Sequence, residues 1–136
     1  MKDNKKTVKY SVVNYPVGDF LIKVKNAAMA GNKKLTVSGN AQILAIAESL
    51  KKSGFLDEIQ KEGKDLTLSL SFKDKQPLLM DIKLVSKPGR RIYFKADEIG
   101  AKRGPSQYLI STPKGIKSTR EALKLRMGGE VIAEIW

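Results

Sequence analysis

Helical spacing of the apolar residues is almost confined to the first half of this chain, and that asymmetry commits it to a mixed fold. Ahead of the polar stretch Lys73-Asp-Lys-Gln-Pro77, apolar positions recur at helical intervals in two segments; beyond it helical periodicity nearly vanishes and alternation takes over. A 3.6-residue period buries one stripe of a helix, whereas a period of two buries one face of a strand. The expected class is therefore α/β (α+β), as one domain or as two very small ones sharing an interface, with helices on a short sheet over 14–76 and mostly β structure with one short helix over 77–136. Residues 1–13 form a basic N-terminal extension, and Lys73–Pro77 is the expected linker.

Local signals set the elements. Val17, Phe20, Leu21, Val24 and Ala27/Ala28 mark a first helix, with Pro16 suited to its first position and Gly31 to its end. Lys33–Val37 reads as a short strand. Asn40 is a plausible cap for a second helix running to about Ser53, carried by Ile43, Ala47 and Leu50 and closed by Gly54. A hairpin follows: Phe55–Ile59, a turn at Lys61–Asp65, then Leu66, Leu68, Leu70 and Phe72 in strict alternation. In the second half Met80, Ile82 and Leu84 alternate, Lys87-Pro-Gly-Arg90 is a tight turn and Arg91–Lys95 is the returning strand. A third strand at about Gln107–Ser111 and a last one at Glu130–Trp136 flank Ser118-Thr-Arg-Glu121, which has the spacing of a capping box.

Charge and two absences then narrow the function. Of the 136 residues, 26 are Lys or Arg and 14 are Asp or Glu, a net +12 that divides evenly into +6 before Pro77 and +6 from Pro77 onward. A hydrophobic share of 41% is that of a packed body, so the positive charge lies outside a core and suits a polyanion that touches both halves. With no cysteine and no histidine, disulfides, thiolate and imidazole metal sites, cysteine nucleophiles and the Ser-His-Asp triad are all excluded. No phosphate-cradling glycine motif is present. The N-terminus lacks the apolar core of a signal peptide, and no stretch approaches the ~20 apolar residues of a membrane span, so the expected location is cytoplasmic, away from membranes. Neither a metal nor a cofactor is expected.

Four places could carry recognition. In Arg91-Ile-Tyr-Phe-Lys95 a period of two sets Arg91, Tyr93 and Lys95 on one face, two cations beside a ring that could stack a base next to a phosphate backbone. The alternative is an ordinary amphipathic strand. Ile110-Ser-Thr-Pro-Lys-Gly115 offers the small hydroxyls Ser111 and Thr112 with Lys114 as a local cation, or is simply a turn. Gly128-Gly129 could let a ligand's backbone come close. On the first helix Asp19, Lys23 and Asn26 share the wetter face, either solvated with an Asp19–Lys23 pair or touching RNA. A catalytic reading is weak: Glu130 and Glu134 on one strand face would stand roughly 13 Å apart at ordinary strand rise, too far for shared acid–base work. A Ser118 pairing with Lys114 or Lys117 has no oxyanion hole in the sequence to go with it.

Taken in order, the blocks resemble one family. Leu109-Ile-Ser-Thr-Pro-Lys-Gly-Ile116 followed by Arg120-Glu-Ala122, Val85-Ser-Lys-Pro-Gly-Arg-Arg-Ile-Tyr-Phe-Lys95 and Gly128-Gly-Glu-Val-Ile-Ala-Glu-Ile-Trp136 are similar to the bacterial form of the eighth protein of the small ribosomal subunit. Pro16–Ala27 and Lys51–Phe55 are similar to that family's opening helix and second helix end, so the likeness covers about residues 14–136. It departs at Pro113, where many relatives carry another small hydroxyl, at Tyr15, where an acidic residue is usual, and across Gly100–Ser106.

The resemblance implies two small α/β domains packed together, an N-terminal domain at 14–76 and a C-terminal domain at 77–136, in a non-catalytic protein that binds the central domain of small-subunit ribosomal RNA directly, mainly through the second domain, with neighbouring ribosomal proteins as further partners. It implies RNA contacts at Ser111, Thr112, Tyr93, Gly128, Gly129 and Glu130, and weaker ones at Asp19, Lys23 and Asn26; Lys114, Arg91, Lys95, Lys87 and Arg90 are the cations expected to bind RNA beside the first set, and Lys33 beside the second. The chain's own messenger RNA, imitating the ribosomal site, is the alternative ligand. A carboxylate- or Lys-based enzyme is the remote alternative.

Overall fold

The computed structural model describes residues 15–101 and 106–136. Both expected helices form. Helix α1 spans Pro16–Met29 and buries Val17, Phe20, Leu21, Val24, Ala27 and Ala28. Strand β1 (Lys34–Ser38) leads to α2 (Ala41–Lys52), whose first turn is capped by the Asn40 side chain accepting from the Ile43 N–H at 2.9 Å. Strands β2 (Leu56–Glu62) and β3 (Asp65–Leu70) make the hairpin, and the first sheet has the antiparallel order β1-β3-β2. Leu66, Leu68 and Leu70 of β3 point under the helices.

The expected linker is itself a hairpin. Strand β4 (Phe72–Lys73) pairs with β5 (Gln76–Pro77) across Asp74-Lys75, both of which adopt positive φ, the condition for a two-residue turn that follows the twist of its strands.

The second half differs from expectation in its pairing. Strand β6 (Ile82–Leu84), the two-residue β7 (Tyr93–Phe94), helix α3 (Ala96–Ala101), β8 (Gln107–Thr112), β9 (Gly115–Ser118), helix α4 (Thr119–Leu125) and β10 (Gly129–Ile135) follow in turn. So two short helices are present where one was expected, and β9 is an additional strand. Strand β10 organises this sheet. On one side it pairs with β8; on the other it pairs first with β7 and then, further along, with β6. Arg91–Lys95 therefore does not return along β6. The Lys87-Pro-Gly-Arg90 turn closes on itself, Lys87 and Arg90 exchanging backbone bonds of 2.9 and 2.8 Å, and the chain then moves to the far end of β10.

One apolar core joins the two halves. Leu21, Val24 and Phe20 of α1 and Ile46 and Leu50 of α2 pack in a single cluster with Ile82, Leu109, Ala133 and Ile135 of the second sheet. A smaller cluster of Ile99, Ile110 and Ala122 lies on that sheet's other face under α3 and α4, edged by Phe94 and Tyr108 in a T-shaped contact at 5.4 Å. Polar ties also cross the seam: Lys25 Nζ to Asp81 at 3.0 Å, Lys52 to Glu121 at 3.8 Å, and the Ser53 hydroxyl donating to Gln107 Oε1 at 3.3 Å. The Lys25 ammonium and the Ile82 N–H hold the Asp81 carboxyl below its ordinary range. That tie thus contributes at every pH above the unfolded carboxylate value and is lost only as pH falls through the lower folded one. No helix among the described residues is long and apolar enough to cross a membrane.

Candidate nucleic-acid interface

Register assembles the site. Tyr93 of β7 lies opposite Glu130 of β10, Glu130 opposite Ser111 of β8, and Ser111 opposite Ile116 of β9. Four residues from four strands thus form one cross-strand row, with neighbouring strands about 4.8 Å apart. Ser111 shares its strand face with Leu109, which is sealed against the first half; the row is where that cover ends. Tyr93 is 65% exposed, and the Ser111 hydroxyl makes no hydrogen bond among the described residues. Cations ring the row. Lys87 and Arg90 stand on their turn, Lys95 follows β7, and Lys114 tops the β8–β9 turn; all four are exposed.

Other expected contacts are occupied within the protein. Arg91 reaches Glu130 at 3.0 Å and places its guanidinium 5.3 Å from the Tyr15 ring centre, within cation–π reach. Its charge is therefore balanced locally by the carboxylate of the row. Tyr15 in turn donates its hydroxyl to the Ser86 carbonyl at 3.2 Å, and burial raises its phenol above the ordinary value. Thr112 is buried; its hydroxyl donates to the Gly115 carbonyl at 2.8 Å and accepts from the Lys114 N–H at 3.2 Å, so it fastens the turn that presents Lys114.

Gly128 and Gly129 do allow close approach, and what approaches is the protein itself. A Cβ on Gly128 would strike the Phe94 carbonyl oxygen, and one on Gly129 the carbonyl oxygen of Ser111. The bulge in β10 between Val131 and Ala133 also separates the two carboxylates that one strand face was expected to share. Glu130 sits opposite Ser111 while Glu134 sits opposite Tyr108, three residues away and on the other face, where it accepts from the Ser106 hydroxyl at 2.7 Å.

On α1, Asp19 and Lys23 line a cleft beside Ser38, Gly39 and Asn40, with no ion pair between them. Asn26 belongs to a different cleft, facing β6. Lys33 is exposed ahead of β1. Extension 1–13 and residues 102–105 of the Gly100–Ser106 segment lie outside the described residues.

Sequence reasoning missed Ser86. Fully buried, it donates its hydroxyl to the Val131 carbonyl at 2.6 Å and accepts from the Ile92 N–H at 2.9 Å, pinning the turn and Tyr93 to β10. A lone Ser in an alternating segment carries no sequence signal for this. Ser86→Ala leaves the Ile92 N–H without that acceptor and should cost about 1–3 kcal/mol, read from the urea midpoint at unchanged m-value.

Comparison with known proteins agrees with the resemblance. A family profile described as "Ribosomal protein S8" matches residues 15–136. The chain is 37% identical over 131 residues to the small ribosomal subunit protein uS8 of Chloroflexus aggregans, covering 91% of this chain and 98% of that protein. It is 38% identical over 130 residues to uS8 of Roseiflexus castenholzii, with the same coverage. Against uS8 of Mycoplasmopsis pulmonis it is 37% identical over 131 residues, covering 93% and 99%.

Proposed function

The chain belongs to the ribosomal protein S8 family, and from that premise we propose that it is a structural constituent of the small ribosomal subunit that binds the central domain of its ribosomal RNA through the Tyr93–Glu130–Ser111 row. The family is one of ribosomal proteins, not of enzymes. One observation carries the reading: a solvent-open ring, a carboxylate acceptor and a hydroxyl without a partner among the described residues lie side by side on adjacent strands, inside a ring of exposed cations.

Each part has a distinct task. Tyr93 stacks on an unpaired base or ribose, while Ser111 and Glu130 supply a donor and an acceptor for base edges and 2′-hydroxyls. Lys87, Arg90, Lys95 and Lys114 neutralise phosphates and carry most of the affinity without choosing the site. Residues 77–136 thus bear the main surface, as a domain, and neighbouring ribosomal proteins complete the environment. A messenger RNA imitating the junction would use the same row.

Sucrose-gradient fractionation of a lysate at moderate salt tests the assignment. The protein is expected to travel with small subunits, and its confinement to the soluble top fractions would refute it. With purified central-domain RNA, filter binding should weaken with salt at a logarithmic slope of about −3 to −4, as displacement of counterions by four free cations requires.

A further inference from the structure

We infer that Tyr15 is a positioning residue for the sheet row: it holds the Arg91 guanidinium on Glu130, which aims that carboxylate at the RNA and keeps Arg91 off the phosphates. The inference deepens the RNA-binding reading above and rests on it. Tyr15 does little for its own helix. It occupies the N-cap of α1, where Ser, Thr, Asp or Asn would bond a free backbone N–H, and its side chain makes no cap bond.

The side chain is committed across the seam instead. Its hydroxyl donates to the carbonyl of Ser86 at 3.2 Å, and Ser86 is itself buried and bonded to Ile92 and Val131. The other part of the seat is Gly18. A Cβ there would stand 2.5 Å from Tyr15 Cδ2 and 2.9 Å from Cε2, so the ring lies on bare backbone of the first turn of α1. Held at its tip and along one edge, the ring presents its face to a fixed place.

That place holds Arg91. Its Cζ lies 5.3 Å from the ring centre and its Nη1 donates to Glu130 Oε2 at 3.0 Å, so the guanidinium is gripped between an aromatic face and a carboxylate. Glu130 stands between Tyr93 and Ser111 in the row, and its second oxygen, Oε1, makes no hydrogen bond among the described residues. Fixing one oxygen on Arg91 sets the direction in which the other accepts from a 2′-hydroxyl or a base edge. A cation shared in this way displaces no counterion from RNA, unlike Lys87, Arg90, Lys95 and Lys114.

Salt dependence separates this role from a structural one, because a lost fold contact weakens binding without adding a phosphate contact. Filter binding by the full-length protein should be measured over a range of salt, with central-domain ribosomal RNA and with an unrelated RNA of equal length. Tyr15→Leu should lower the preference for central-domain RNA about 5-fold, the order of one hydrogen bond. It should also steepen the logarithmic salt slope by about 0.7–0.9, as the released Arg91 reaches one phosphate. Tyr15→Phe keeps the ring face and should keep both wild-type values. Arg91→Ala, a change at an exposed side chain, should lose the same preference with no change of slope, and adding Tyr15→Leu to it should change nothing further. A shallower slope in Arg91→Ala would put that cation on a phosphate and overturn the inference. So would wild-type preference and slope in Tyr15→Leu, or equal losses in Tyr15→Leu and Tyr15→Phe, and each of these leaves the sheet row standing. Failure of the wild-type protein to prefer central-domain RNA overturns both.

Discussion

Gly129→Ala should cost the chain about 3 kcal/mol or more, at or above the roughly 1–3 kcal/mol of ordinary overpacking, because the obstacle here is backbone. The added Cβ would overlap the carbonyl oxygen of Ser111 and stand 2.8 Å from its carbonyl carbon and 3.2 Å from Thr112 Cα. None of these can rotate away as a side chain would. Relief requires β8 and β10 to separate at the pair Glu130–Ser111, the centre of the proposed RNA surface. Gly128→Ala meets a similar wall from β7, at the Phe94 carbonyl oxygen and at 2.9 Å from Lys95 Cα. Gly89→Ala provides the control, since nothing lies within 4 Å of its Cβ position. Thermal unfolding followed by circular dichroism should show a fall on the order of 10 °C for Gly129→Ala and almost none for Gly89→Ala. Co-melting of Gly129→Ala with the wild type would mean that the two strands do not approach as described.

The same glycines illustrate what sequence does and does not reveal about such a site. Signals that act over a few residues were legible: the Asn40 cap, the Ser118–Glu121 capping box and the alternation of Leu66, Leu68 and Leu70 all fall where the spacing placed them. Pairing was not, because a strand's partner is chosen by contacts tens of residues away. Arg91–Lys95 has the pattern of a hairpin's second strand, yet it bonds to β10, through the Ile92 carbonyl and the two-residue strand Tyr93–Phe94, and not to β6. The β10 bulge shifts every side chain beyond it to the opposite face, a change a strict period of two cannot anticipate. The family resemblance nominated Tyr93, Ser111 and Glu130 from three separated blocks, and register brings them into one row. Thr112, nominated on equal terms, spends its hydroxyl inside the protein, and Arg91 shares its guanidinium with Glu130.

That division predicts different phenotypes for neighbours in sequence. Tyr93→Ala removes an exposed ring that the fold does not need, so stability should hold while RNA affinity falls by about 1–3 kcal/mol, roughly 5- to 150-fold, the usual worth of one stacked base. Ser111→Ala should act in the same sense at about 1 kcal/mol, since among the described residues its hydroxyl has no bond to lose. Thr112→Ala reverses the pattern. Its hydroxyl closes the β8–β9 turn through Gly115 and Lys114, so about 1 kcal/mol of stability should go first, with affinity following only as Lys114 loses its fixed position. Measuring urea midpoints and filter-binding constants on the same three variants separates the two roles. Equal losses of stability across all three would place Tyr93 and Ser111 among the fold's own fasteners. A Thr112→Ala protein of wild-type stability and reduced affinity would instead put its hydroxyl on the RNA, and the turn would have to be held by the Gly115 conformation alone, at φ +110°.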